Sequence, residues 1–433
     1  MPYNDPDILG CFFPGFFQIS LNTSADSLAA LNVNERATYV HEYIHFMQDT
    51  TTGFGISNLA FKMHQFSNLF SGINHCTNFK DCYDRYIKLL EGNRVIQSES
   101  QEFLCENCDT EGDGYNQNIC CNELISINLD SESHSFILEF KNLYNLNSPY
   151  MYRFTGCNIK EWMAYFIESK IFHKDTNFVP RFPYKIVDEI ISFMFPDSLS
   201  DKEIIQLCDL ALQSTRPGYE FINCLEHVRR GGSIEQLWTE DIVACNLITG
   251  KEEESFKIYE SSLKIVESEK FKEALECSYS GECRRDIYDY VYEICTKGAN
   301  YRIKKRNLLF SELINEDEYG ILEKIEFLHR NIGAPNIFNI ENNRYFGAFA
   351  ENQAGAAYFP VLRTLVNRVF SSEHSLKCPY YNNCIMPQHE YHKRELCNEN
   401  CKENFLLNIV EGKQLCMATA LAKSMGIKST FND

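Results

Sequence analysis

The stretch ATYVHEYIHFMQDTTTG, Ala37 to Gly53, sets two histidines, His41 and His45, four residues apart with Glu42 directly after the first. Stepped at about 100° per residue, the helix that this stretch predicts puts Thr38, His45 and Gln48 within about 60° of His41, and Glu42 at about 100°. Ala37, Val40, Ile44 and Met47 line one flank, and Tyr39, Tyr43 and Phe46 the other. A helix that is apolar around most of its circumference is a buried one. The polar groups on its remaining strip then need partners. Carbonyls or carboxylates of an ordinary core would serve, but a metal ion meets the need with chemistry attached. Histidines at i and i+4 reach one tetrahedral zinc, and the adjacent glutamate takes a proton from the attacking water and passes it to the leaving group.

The bulk numbers leave room for such a site. The 433 residues suffice for a large core and two or three domains, and the formal charge of −19 (41 basic against 60 acidic residues) disfavours nucleic acid and anionic lipid as partners. RIKKRN, Arg302 to Asn307, is a local basic exception and reads as a solvated helix end. No basic-then-apolar leader opens the sequence, and no apolar run approaches the roughly 18–20 residues of a membrane span. The 19 cysteines read mostly as reduced thiols, so the expectation is a cytoplasmic protein.

CFFPGFFQISLNT (Cys11 to Thr23) reads as a strand or hairpin arm, and HSFILEF (His134 to Phe140) as another strand. Most of the remainder recurs near a 3.6-residue period, including NIKEWMAYFIESKIF, KEIIQLCDLALQST, YEFINCLEHVRR, EESFKIYESSLKIVESEKF and ENQAGAAYFPVLRTLVNRVF. The expected fold is mainly α with a small N-terminal β element. Asn34 reads as the N-cap of the histidine helix and Gly53 as its terminator.

HEYIHFMQDTTTG resembles the active-site helix of thermolysin-like gluzincins, zinc metallopeptidases that share HExxH, an aspartate four residues on (here Asp49) and a glycine four further (here Gly53). The resemblance implies a zincin-like α+β fold, a catalytic zinc, and a protein or peptide substrate with Glu42 as general base. It also implies a third ligand on a later helix, as Glu-x-x-Ala or Glu-x-x-Ser. Glu161, followed by Ala164, fits best; Glu351, followed by Ala354, and Glu168 stay open. Position 165, an aspartate in the thermolysin pattern that orients a zinc histidine, is tyrosine here, so Asp49 is left to orient His45 or the helix itself. FFQISLNT becomes the candidate edge strand for an extended substrate. His173, Tyr165, Arg344, Tyr345, His389 and Tyr391 are of the right types to stabilise an oxyanion, and the sequence ranks none of them.

The expected division is a catalytic region over 1–180 with an insertion at about 54–157, a helical region over 181–300, and a helical C-terminal region over 301–433. Within the last, Cys378, Cys384, Cys397 and Cys401, with His389 and His392 between them, form two pairs laid out like a structural zinc module. Cys105, Cys108, Cys120 and Cys121 make a weaker second group. Two other readings share the same residues: a zinc hydrolase of non-peptide amides or esters, and a helical interaction protein whose zinc is purely structural.

Overall fold

The computed structural model describes residues 9–71, 76–92, 121–130, 135–142, 149–174, 181–195, 199–243, 255–279, 282–341, 344–346, 354–370, 376–384, 397–410 and 415–429. The chain begins with the hairpin β1 (Gly10–Phe13) and β2 (Gln18–Leu21), turned by a single 3-10 step at Pro14–Phe16. α1 (Val33–Thr51) follows and opens on a capping box two residues earlier than the sequence suggests. The Asn32 side chain accepts the Glu35 amide at 3.1 Å, and the Glu35 carboxylate accepts the Asn32 amide at 2.8 Å. At the other end Thr50, Thr51 and Thr52 return their hydroxyls to the carbonyls of Phe46, Met47 and Gln48 at 2.8, 2.7 and 2.6 Å. Gly53 then lets α2 (Gly53–Ser71) set out against a neighbour: a Cβ there would stand 2.4 Å from the Gln213 carbonyl oxygen.

After α3 (Phe79–Gly92) comes an antiparallel meander of β3 (Cys121–Asp130), β4 (Ser135–Asn142) and β5 (Tyr150–Phe154). β5 runs through Thr155 straight into α4 (Gly156–Phe172), where Asn158 accepts the Thr155 amide at 2.9 Å and donates to the Tyr152 hydroxyl at 2.6 Å. The strand expected over 134–140 is thus β4, and the helix expected from Asn158 is α4. Next are α5 (Ile186–Met194), α6 (Asp201–Ala211), α7 (Pro217–Arg229), α8 (Ile234–Thr239) and a short ribbon of β6 (Asp241–Val243) with β7 (Ser255–Lys257). The helix expected over EESFKIYESSLKIVESEKF is broken up: β7 and a 3-10 turn precede α9 (Ser261–Glu267) and α10 (Glu269–Tyr279). Phe256 and Ile258 are both buried at a spacing of two, a strand's period. The Ser268 hydroxyl accepts the Phe271 amide at 3.2 Å and starts a new helix there.

α11 (Glu282–Lys305), α12 (Gly320–Asn331), β8 (Asn336–Asn339), β9 (Arg344–Phe346), α13 (Phe359–Phe370), α14 (Tyr381–Cys384), α15 (Glu399–Glu403) and α16 (Met417–Ser424) complete the chain. β8 returns to the N-terminal hairpin and pairs parallel with β2, giving a four-stranded sheet in the order β1-β2-β8-β9. The expected β element is therefore larger than an N-terminal arm, since half of its sheet comes from beyond residue 335. Gln18–Leu21, expected as a substrate-pairing edge, is an interior strand; the edge beside the histidine helix is β1. No described helix is long and apolar enough to cross a membrane.

α1 lies at the centre of one hydrophobic core that runs from Phe12 to Ile427. Its aromatic flank packs Phe46 edge-on against Phe12 and Phe17, while Tyr39 and Tyr43 reach His329 at 3.0 Å and the Gly333 carbonyl at 3.4 Å. α11 crosses so close to the end of α1 that a Cβ on Gly298 would sit 2.1 Å from the Thr50 carbonyl oxygen. Arg302 departs from the solvated role expected of RIKKRN. It is wholly buried, pairs with Asp209 at 2.6 Å and donates to the Thr51 carbonyl at 3.1 Å. A cation against the last carbonyl of α1 suits the negative end of a helix dipole.

Candidate metal centre

The polar strip of α1 meets α4, and two interhelical ties fix the register between them. The Gln48 side-chain amide donates to the Lys160 carbonyl at 3.1 Å, and the Lys160 ammonium reaches back to the buried Asp49 at 2.6 Å. One residue on, Glu161 faces both histidines: its two carboxylate oxygens stand 3.5 Å from His41 Nε2 and 3.4 Å from His45 Nε2. The two Nε2 atoms are 3.2 Å apart. Among the described residues, these three are the group that could hold a metal ion, with one donor atom each and all within 4.8 Å of one another. Two imidazoles and a carboxylate are a donor set that suits zinc with a position left open. Side-chain exposures of 9% at His45, 13% at His41 and 26% at Glu161 put the open side toward Glu161.

Both imidazoles are oriented from behind. Gln48 Oε1 accepts from His45 Nδ1 at 2.9 Å, and Glu168 Oε2 accepts from His41 Nδ1 at 3.1 Å. Each ring therefore turns Nε2 toward Glu161, the arrangement that metal-ligating histidines take. Glu168 is in turn engaged by the Lys174 ammonium. This places the expected residues with some changes of role. Glu161 is the carboxylate that joins the two histidines in the group that could hold an ion; Glu168 sits behind His41 as its acceptor, not among the three converging donors; and Glu351 lies outside the described residues. Asp49 orients the helix through Lys160, and His45 is left to Gln48.

The electrostatics follow from this crowding. Burial opposes a charge on His41, but Glu161, Glu168 and Glu42 outweigh it and hold its pKa up at about 10. Burial alone would raise Glu161; the two histidines hold it well below the usual carboxylate range. Glu42 is different. Burial pushes its pKa up, against the lowering pull of His41, His45 and a hydrogen bond from the Phe12 backbone on β1.

Of the side chains considered for an oxyanion, Tyr165 packs with its ring tilted 58° to Tyr184 at 5.5 Å, and the Tyr184 ring lies 6.4 Å from that of His41. Tyr345 spends its hydroxyl on Gln18 at 3.1 Å, Arg344 pairs with Asp26 at 3.4 Å, and His173 is an exposed C-cap of α4. His389 and Tyr391 lie outside the described residues. Tyr184 had no signal in the sequence, being in a non-periodic turn. Gln48 had one: it shares the strip with both histidines. Of the weaker cysteine group, Cys105, Cys108 and Cys120 lie outside the described residues and Cys121 enters as the first residue of β3.

Compared with known protein families, with curated proteins and with solved structures, the chain matches none.

Proposed function

We propose that this protein is a zinc-dependent peptidase of gluzincin type, with His41, His45 and Glu161 holding the ion and Glu42 as general base. One observation carries the reading: three donors from two helices converge within 4.8 Å, both histidines are oriented from behind, and a buried glutamate stands beside them. When bound, zinc supplies a Lewis acid that polarises a carbonyl and acidifies water. Glu42 takes the proton of the attacking water and returns it to the leaving amine. Its raised pKa suits a group that must act first as base and then as acid near neutral pH.

The zincin-like character of the fold belongs to the same proposal. β1 is an edge strand, it lies against α1, and its Phe12 backbone touches Glu42. An extended peptide paired along that edge would bring its scissile bond to the glutamate, with main-chain hydrogen bonds supplying affinity. The reading takes the protein to be cytoplasmic, in keeping with the free cysteines among the described residues.

The test is cleavage of a diverse peptide library by zinc-loaded protein, read by mass spectrometry, beside Glu42→Gln. Cleavage by the parent and at least a hundredfold loss in the variant, with zinc retained, is expected. Full activity in Glu42→Gln would remove the mechanism. Turnover of small amides or esters with no peptide product would remove the peptidase.

A further inference from the structure

The C-terminal cysteines do more in the fold than their spacing implies. Leu376 and Asn404 form a parallel bridge, and beside it the Cys378 amide donates to the Cys401 carbonyl at 2.8 Å. Cys397 and Cys401 flank the start of α15, and Cys384 ends α14. The thiols of Cys384 and Cys397 are within hydrogen-bonding reach of each other, as are those of Cys397 and Cys401. Cys378 is near enough to Cys384 and Cys401 to interact with them electrostatically. A fifth thiol, Cys416, stands at the N-cap of α16, near enough to Cys378, Cys384 and Cys397 to interact with them electrostatically. None of the five is in a disulfide.

Two of these sulfurs already act as acceptors. The Asn408 side-chain amide donates to Cys401 Sγ at 3.2 Å, and the Tyr380 backbone amide donates to Cys378. N–H groups aimed at sulfur stabilise the thiolate, and such donors accompany cysteine ligands in metal sites. A packed set of neutral thiols gains little from either.

We propose that this cluster is a second metal site, a closed zinc thiolate centre in which Cys384, Cys397 and Cys401 take three positions and Cys378 the fourth. Cys416 is a reserve thiol beside it, which the spacing of the four others does not reveal. Binding Zn²⁺ releases the four thiol protons and leaves a tetrathiolate with no position open to substrate, so its role is structural. The sulfurs of such a centre lie about 3.8 Å apart, given Zn–S bonds of about 2.3 Å. Among the described residues only the His41 group has three donors mutually within 4.8 Å, so a bound ion would have to draw the thiols closer together. The beneficiary is the C-terminal segment. Asn383 accepts the Tyr345 amide at 3.1 Å and donates to its carbonyl at 2.8 Å, so the cluster clamps the outer strand β9 of the central sheet.

The proposal is independent of the histidine site and can be tested without it. The full chain carrying His41→Ala and His45→Ala is purified under reducing conditions and its zinc counted by mass spectrometry. About one zinc per chain is expected to remain, and to be lost on adding Cys384→Ser and Cys401→Ser but not Cys11→Ser. Cobalt(II) bound in its place should show intense sulfur-to-metal charge-transfer bands, which the histidine group cannot produce; this decides the matter even if the serine variants do not fold. Cys378→Ser should keep a zinc held at least tenfold more weakly, through Cys416, and Cys378→Ser/Cys416→Ser should hold none. A histidine variant without zinc, a zinc indifferent to Cys384 and Cys401, cobalt without thiolate bands, or a disulfide within the cluster of the reduced protein would overturn the assignment.

Discussion

Gln48 gives the sharpest test of the proposed metal centre, because it engages His45 through Nδ1 rather than Nε2. Its amide oxygen takes the His45 Nδ1 proton at 2.9 Å and its amide nitrogen donates to the Lys160 carbonyl at 3.1 Å, in wholly buried surroundings. Gln48→Leu keeps the size and removes both bonds. The His45 N–H is then left buried without its acceptor, at a cost of about 1–3 kcal/mol. The ring becomes free to change tautomer or to turn Nε2 away from Glu161. Loss of such an orienting partner weakens metal affinity by about 10–100-fold, or about 1.4–2.7 kcal/mol. Competition of zinc against a chromophoric chelator measures the affinity, with circular dichroism to show that the variant is folded. Gln48→Glu is the matching control: it keeps an acceptor for His45, and its affinity should stay closer to the parent's than that of the leucine variant. If Gln48→Leu, folded, binds zinc within twofold of the parent, His45 is not a ligand held through its Nε2, and the centre as described is wrong.

Three other perturbations bear on the frame around the site. Lys160→Met leaves the buried Asp49 carboxylate without its cation, and about 3–5 kcal/mol of stability should go, read as a lower urea midpoint. Asp49→Asn on that background should restore part of it; no recovery would mean that the pair does not hold α1 to α4. Arg302→Met strands Asp209 in the same way and should cost about as much, whereas Arg302→Met with Asp209→Leu should cost markedly less, which a thermal melt of the three proteins checks. His329 bears on pH. Burial lowers its pKa from 6.5 to about 4, and the Tyr39 hydroxyl donates to its Nε2. Between those values the unfolded chain binds a proton that the native one does not, so stability is full above about pH 6.5 and falls by up to about 3 kcal/mol as pH drops to about 4. His329→Gln keeps an acceptor for Tyr39 and should flatten that acid limb in urea titrations; an unchanged limb would assign it to other groups.

How much of this was legible beforehand depended on whether the signal was local. The α1 helix, its buried flanks and its strip of His41, His45 and Gln48 all follow from the 100° step, because helical periodicity is a property of neighbours in sequence. Glu161 was singled out only through the gluzincin resemblance, whose Glu-x-x-Ala pattern left Glu351 and Glu168 open as well. Arg302 was misread because composition treats a basic run as one object, whereas a single member of RIKKRN points inward to Asp209, 93 residues away. FFQISLNT was rightly read as extended, yet its place inside the sheet depends on β8, whose pairing no local pattern announces.

The sequence by itself determined the candidate donors: two imidazoles at helical spacing, with Glu42 beside the first, and several glutamates among which it did not choose. Tertiary structure decided what they do together. The Asp49–Lys160 and Gln48–Lys160 ties set the register of α4 on α1, and that register brings Glu161 to both Nε2 atoms while sending Glu168 behind His41. Seven residues along a helix are about 700°, close to two turns, so both glutamates project from nearly the same side of α4 and spacing alone cannot separate them. Only the height at which the two helices meet sets one facing the two Nε2 atoms and the other behind His41.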